Sequence, residues 1–204
     1  MVVTRGLLDE EVLDPAATAS GGRLRSAVAA FDAAGEGACR RLRASTSASR
    51  VMYLLSELGD DGRVWILATF VEATRRRRSL GWTLPPLMWL GAESAFVNLG
   101  LKRVARRSRP ATVHEHDFRL RVPSDTSFPS GHAASGALMA VILSEDSPAA
   151  PLWTALALGI GISRVHVGVH HPSDVAAGWA VGAALGVLAR RSRRWFRESG
   201  ARSS

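Results

Sequence analysis

Cysteine and lysine are nearly missing from this chain. A single cysteine, Cys39, among 204 residues builds neither a disulfide framework nor a thiolate zinc site, and it leaves the redox compartment undetermined. Collagen-like and low-complexity classes are excluded as well, because apolar residues make up 47% and charged residues 22% of the chain. No positively charged start runs into an apolar core and a cleavage site, so the sequence predicts no cleaved signal peptide. The length suits one ordinary domain.

The scarcity of lysine is the more telling absence. Basic residues outnumber acidic ones by 26 to 18, a net charge of +8, yet Lys102 is the one lysine and the other 25 are arginines. The surplus points to a polyanionic partner: nucleic acid, membrane phosphates or a phosphorylated substrate. Writing cations as arginine, in a chain rich in alanine and glycine, suits a GC-rich genome. Lys102 is then either a chance survivor or a position that needs a compact ammonium in place of a planar guanidinium.

Mean hydropathy is close to neutral, at +0.06, so the chain has to be read segment by segment. Residues 1–22 form a loose polar leader with Asp9, Glu10, Glu11 and Asp14. Over 23–50, Leu24, Val28 and Phe31 have the spacing of an amphipathic helix lying on a surface, or of an ordinary solvated helix. A short apolar run over 64–71 ends at Glu72 and the block Arg75, Arg76, Arg77 and Arg78. Residues 80–101 follow with Glu93 as their only charge, and these 22 residues reach roughly 33 Å as a helix, enough for a bilayer core.

Three later apolar stretches, 132–143, 149–163 and 175–189, are short and built largely from alanine and glycine. In the last, Gly178, Gly182 and Gly186 recur every four residues, leaving one bare helix face of the kind that lets membrane helices approach closely. The reading is an all-α, integral-membrane helical bundle with roughly five to six spans and no internal repeat. A polar leader and amphipathic segment occupy 1–50, the core 51–190 and a basic tail 191–204.

All six histidines lie between positions 114 and 171, within the stretch that carries three motifs. The first is Lys102-Arg103-Val104-Ala105-Arg106-Arg107-Ser108-Arg109-Pro110, which alone reads as a basic patch touching lipid headgroups. The second, Phe128-Pro129-Ser130-Gly131-His132, leads into an apolar helix. Ser130 is a good N-cap, Gly131 lets a ligand approach the backbone, and the free N–H groups of a helix start bind anions. A capped helix with an incidental histidine is the plainer alternative. The third runs from Ser163-Arg164 through His166, His170 and His171 to Pro172-Ser173-Asp174. Pro172 suits the first turn of the final helix, so Asp174 can hold one ring nitrogen of His170 and leave the other nucleophilic. A surface turn with scattered histidines is the alternative there. A metal site on His166 and His170 is the sharper rival, but the Val167-Gly168-Val169 link between them is not strongly helical and brings no further carboxylate or cysteine close by.

Together, and in this order, the motifs resemble the three-part signature of the type 2 phosphatidic acid phosphatase superfamily. Lys102, six residues, then Arg109-Pro110 match the first part. Pro129-Ser130-Gly131-His132 match the second, and Ser163-Arg164, five residues, His170, three residues and Asp174 match the third. The resemblance covers about 64–190, accounts for the sole lysine and shows no departure at any motif position.

It implies that Lys102, Arg109 and Arg164 surround the phosphoryl oxygens, with Ser130 and the Gly131 backbone adding hydrogen bonds. It further implies that His170 attacks phosphorus to give a phosphohistidine, oriented by Asp174, while His132 protonates the leaving oxygen and then activates water. No cofactor and no metal enters that scheme. His171 is a bystander, and His166, His114 and His116 are assigned to loop or headgroup contacts.

A phosphatase at the ends of membrane helices meets the phosphates of membrane lipids at the interface of the lipid bilayer. The candidates are phosphatidate, phosphatidylglycerophosphate, polyprenyl diphosphate and a polyprenyl-phosphoribose phosphate, with the loop 111–128 expected to read the headgroup. The motif loops share one side, and the arginine blocks at 75–78 and 190–197 share the other. The positive-inside bias then makes this a multi-pass cell-membrane protein with an outward-facing site. Two other classes stand as alternatives. A nucleic-acid partner is disfavoured because no aromatic platform interleaves the arginines. A catalytically inactive membrane scaffold is expected to have lost a motif residue, and none is lost.

Overall fold

The computed structural model describes residues 15–105, 107–110 and 126–202, and among these every regular element is helical. In chain order they are α1 (Pro15–Arg43), α2 (Thr46–Leu58), α3 (Arg63–Arg75), α4 (Leu84–Ala95), α5 (Lys102–Val104), α6 (Gly131–Leu143), α7 (Ala150–His166) and α8 (Pro172–Arg202). Helix starts follow local chemistry. Ser45 caps α2 by accepting the Ala48 N–H, and Ser130 caps α6 by accepting the Ala133 N–H at 3.4 Å. Pro85 and Pro86 occupy the first turn of α4, where a missing N–H costs nothing. The tight link from α2 to α3 turns through Asp61 and Gly62, both at positive φ (55° and 67°).

Residues 80–101, read as one span, are helical throughout but not as one α-helix. A 3₁₀ turn over Leu80–Thr83 precedes α4, and a π-helical turn over Phe96–Leu101 follows it. The proline pair sets the first break, since α4 has to begin where its backbone donors are dispensable.

α6 is the central helix. Ala133, Ala134, Leu138, Met139, Ile142 and Leu143 are buried around its circumference, and it packs against α4, α7 and α8. The bare face of α8 does what its spacing foretold. A Cβ on Gly178 or Gly182 would run into the backbone of Ser130 or Ala134, and one on Gly186 would lie 2.7 Å from the Val141 Cβ. Gly136 of α6 likewise lies against Ala157 of α7.

The N-terminal helix holds a surprise. Its apolar residues point away from the bundle: Phe31 is 53% exposed, and Leu24 is also exposed. The face turned inward carries Asp32, Gly35, Glu36, Cys39 and Arg43, spaced as one helical face. A Cβ on Gly35 would lie 2.6 Å from Pro172 Cγ, so α1 sits directly on the start of α8. Arg43 donates to the carbonyl oxygens of His166 (2.8 Å) and Val165 (3.3 Å) at the end of α7.

Polarity is arranged with charge inside and apolar bulk outside. Glu72, Glu93, Ser163, Arg164, His166 and Asp174 are buried, while Leu67, Phe70, Leu80, Leu84, Met88 and Leu99 are exposed. Among the described helices, Pro172–Arg193 is long and apolar enough to cross a membrane, and Gly131–Leu143 is a shorter apolar helix.

Candidate active site

The three motifs, far apart in sequence, meet at one end of the bundle. The start of α6 is tied to the first turn of α8 by the Ser130 N–H, which donates to the Asp174 carbonyl at 3.0 Å. Arg109, from the segment after α5, reaches the loop between α7 and α8 and donates to the Val169 carbonyl at 2.8 Å. That loop turns at Gly168 (φ 78°), a conformation glycine adopts without strain. Its turn presents His170 between Arg109 and Asp174.

His170 is buried. Its Nδ1 lies 3.7 Å from Asp174 Oδ2, and its Nε2 lies 3.4 Å from Arg109 Nη1. Burial pushes the ring down to about 4, and the Arg109 and Arg164 charges push the same way against the pull of Asp174. The imidazole is therefore neutral at pH 7. Asp174 is fully buried, with Oδ2 accepting the His171 N–H at 2.8 Å and Oδ1 accepting from Arg107 at 2.7 Å.

Arg164, in the last turn of α7 and 2% exposed, donates to Ser56 Oγ at 2.6 Å and lies 3.5 Å from Asp60 Oδ1. Its buried Nε has no acceptor among the described residues, an orphan donor of the kind that a bound anion satisfies. His132, in the first turn of α6, places Nε2 2.8 Å from Asp60 Oδ1. The charges of Lys102 and Arg164 both act on this ring. The Ser130 hydroxyl and N–H are committed to the cap and to Asp174. The Gly131 and His132 amides remain as helix-start donors.

Every residue singled out as catalytic or phosphate-binding, namely His170, His132, Asp174, Lys102, Arg109, Ser130, Gly131 and Arg164, lies in this cluster or on the segments that frame it. His166 is a correction. It is completely buried at the end of α7, with Nε2 3.3 Å from Ser49 Oγ and the Tyr53 ring edge-on at 6.2 Å, so it contacts α2 and not a headgroup. His114, His116 and most of the loop 111–128 lie outside the described residues.

Sequence reasoning missed Ser56 and Asp60, which hold Arg164 and His132, and also Arg107 and Asp32. The only signal for Asp60 is its place in an Asp-Asp-Gly turn, which by itself says nothing of a histidine 72 positions away.

A helical bundle that gathers the buried Arg164 and the half-buried Arg109 around a neutral histidine is organised for phosphoryl transfer. The chain belongs to the PAP2 superfamily, whose family model matches residues 82–198, and it is a PAP2-type phosphatase. It is 34% identical over 145 residues to the decaprenylphosphoryl-5-phosphoribose phosphatase of Mycobacterium tuberculosis, covering 66% of this chain and 74% of that one. It is also 34% identical over 145 residues to the undecaprenyl-diphosphatase of Sulfolobus acidocaldarius, covering 68% and 67%. Among solved structures it resembles the transmembrane PAP2-type phosphatidylglycerolphosphate phosphatase of Bacillus subtilis. That likeness has a TM-score of 0.64 at 25% identity and covers 82% of this chain and 87% of that one. Aquifex aeolicus LpxE is similar too, with a TM-score of 0.60 at 25% identity over 76% and 93%.

Proposed function

We propose that this protein is a multi-pass membrane enzyme that hydrolyses the phosphate of a lipid carried in the bilayer, through a phosphohistidine on His170. The observation that carries this reading is the conjunction at His170. A buried, neutral imidazole has one nitrogen beside a carboxylate and the other beside Arg109, with the unsatisfied Nε of Arg164 in the same cluster.

Asp174 beside Nδ1 favours the tautomer with its proton there, so Nε2 attacks phosphorus in line. The bond from phosphorus to the lipid oxygen breaks, its electron pair goes to that oxygen, and His132 supplies the proton. His132 enters the step protonated on both nitrogens, with Nε2–H held by Asp60; it gives the Nδ1 proton to the leaving oxygen and then takes one from water. The resulting hydroxide attacks phosphorus, the P–Nε2 bond breaks with its electron pair returning to Nε2, and phosphate is released with His170 restored. Lys102, Arg109 and Arg164 offset the charge spread over the phosphoryl oxygens, and the α6 start adds the Gly131 amide. No step in this scheme calls for a metal ion.

The buried charges and exposed leucines, valines and phenylalanines support placement in the membrane. Two relatives are named for polyprenyl-linked substrates, and they support a polyprenyl-phosphoribose phosphate or polyprenyl diphosphate ahead of phosphatidate and phosphatidylglycerophosphate. The test is phosphate release by detergent-purified protein from these four lipids, with EDTA present throughout. An EDTA-resistant preference for a polyprenyl substrate is expected. Preference for a glycerolipid would overturn the substrate assignment, and release from none of them would favour an inactive scaffold.

A further inference from the structure

We propose that Asp32 and Arg107 are positioning residues for this reaction: α1 splints the nucleophile loop by holding Asp174, and through it the His170 ring, in place. This rests on the reading of His170 as nucleophile. It concerns a helix outside the matched stretch 82–198.

Arg107 stands between two carboxylates. Its Nη1 donates to Asp174 Oδ1 and to Ser173 Oγ, each at 2.7 Å, and its Nη2 donates to Asp32 Oδ2 at 2.6 Å. Asp32 closes the ring of contacts, accepting the Ser173 N–H at 2.8 Å and the Ser173 hydroxyl at 2.9 Å. Asp32 thereby satisfies a free donor at the start of α8, where a carboxylate is favoured by the helix dipole. It is held below its usual value: burial works against its charge, and the bonds from Arg107 and Ser173 outweigh that effect.

These contacts fix the Asp174 carboxylate from behind. With Oδ1 held by Arg107 and Oδ2 by the His171 N–H, the edge facing His170 Nδ1 has little freedom to turn. α1 grips the same loop at its other end, where Arg43 holds the carbonyls of Val165 and His166. The close seat of Gly35 on Pro172 leaves room for Asp32 to reach Ser173. Without its guanidinium the Asp174 carboxylate keeps its charge and the His171 N–H but loses the bond that sets its angle, so the His170 ring is less firmly held.

The electrostatics give the two residues opposite signatures. The charged groups facing the His170–Asp174 pair are Asp32 from α1, Arg107 and Arg109 from the segment after α5, and Arg164 from α7. His132 and His171 are the other titratable groups nearby. Removing Arg107 leaves the Asp174 charge uncompensated beside His170, which favours the protonated ring. Neutralising Asp32 commits Arg107 wholly to Asp174 and does not favour it.

The experiment uses the full chain in detergent with the lipid of the four-member panel that it cleaves fastest. It compares Arg107→Gln, Asp32→Asn, Asp32→Glu and the double variant Asp32→Asn/Arg107→Gln. Arg107→Gln is expected to lower kcat by about 10- to 100-fold with KM nearly unchanged, and Asp32→Asn less. Asp32→Glu should recover part of the loss, and the double variant should be no slower than Arg107→Gln. The titration of His170, followed by ¹⁵N-histidine NMR, should move up by about one pH unit in Arg107→Gln and not in Asp32→Asn. Wild-type kcat in both single variants, losses that multiply in the double variant, or a kcat loss matched by loss of folded protein would overturn the proposal. The NMR arm reads the splint without turnover, so its failure is distinct from a failure of the phosphatase reading.

Discussion

The His170 ring is held near pKa 4 by burial, well under its ordinary value of 6.5. As pH falls through about 4 the ring takes a proton and Nε2 loses its lone pair, so kcat/KM should show this acid limb near 4 and remain high at pH 5.5. The same depression has a cost in stability. Between 6.5 and about 4 the unfolded chain binds the proton that the folded chain refuses, so stability falls as pH drops through that window. A His170 ring that titrated near 6.5 by ¹⁵N-histidine NMR would contradict the assignment. At this scale most of the candidate site was legible, because Lys102, His132, His170 and Asp174 stand at the spacings of the three motifs. Their partners were not. Asp60 reaches His132 across 72 positions and Arg107 reaches Asp32 across 75, and only the fold makes those pairs.

Helix α8 shows an element whose role can be read from its sequence. Glycines every fourth residue share one face, and α6 lies against that face closely enough that a Cβ on Gly182 would overlap the Ala134 backbone. Gly182→Ala should therefore destabilise the protein by about 1–3 kcal/mol through overpacking, despite the roughly 1 kcal/mol that alanine gains in helix propensity. Gly91→Ala, where an added methyl meets nothing within 4 Å, should leave thermal unfolding in detergent unchanged or raise its midpoint. Equal midpoints for Gly182→Ala and wild type would contradict the close packing. Helix α1 is the opposite case. Leu24, Val28 and Phe31 advertise an apolar stripe, whereas the docked face is polar and small, with Asp32 and Arg43 answering groups on α7, α8 and the Arg107 segment and Glu36 bracing Arg43 within α1. Hydrophobic periodicity cannot reveal a face that binds through ion pairs and carbonyl oxygens.

The whole molecule has two chemically different ends. The motif loops converge at one. At the other, Arg76 donates to the Asp146 carbonyl at 2.8 Å, Arg190 lies 3.6 Å from Glu145, and Arg193 stacks over Trp82 at 5.2 Å. The arginine block after α3 and the end of α8 thus share a side, as the alternation of apolar segments implied. The number of spans was less legible, because α3, α4, α6 and α7 are short and their apolar length is broken by turns. If the basic end is cytoplasmic, a membrane-impermeant maleimide applied to intact cells should label Ser108→Cys, at the site end, and spare Arg77→Cys. Both positions are exposed. The native Cys39 is buried and its thiol is pushed up by that burial, which keeps the background low. The reverse labelling pattern would turn the enzyme over in the membrane.

The central claim is a covalent phosphate on one histidine. Protein mixed with lipid labelled in its terminal phosphate, quenched within a turnover under alkaline conditions and mapped by peptide, should carry an acid-labile, alkali-stable phosphate on His170. His170→Ala should carry none and release no phosphate while remaining folded. Sustained phosphate release by folded His170→Ala would contradict the account.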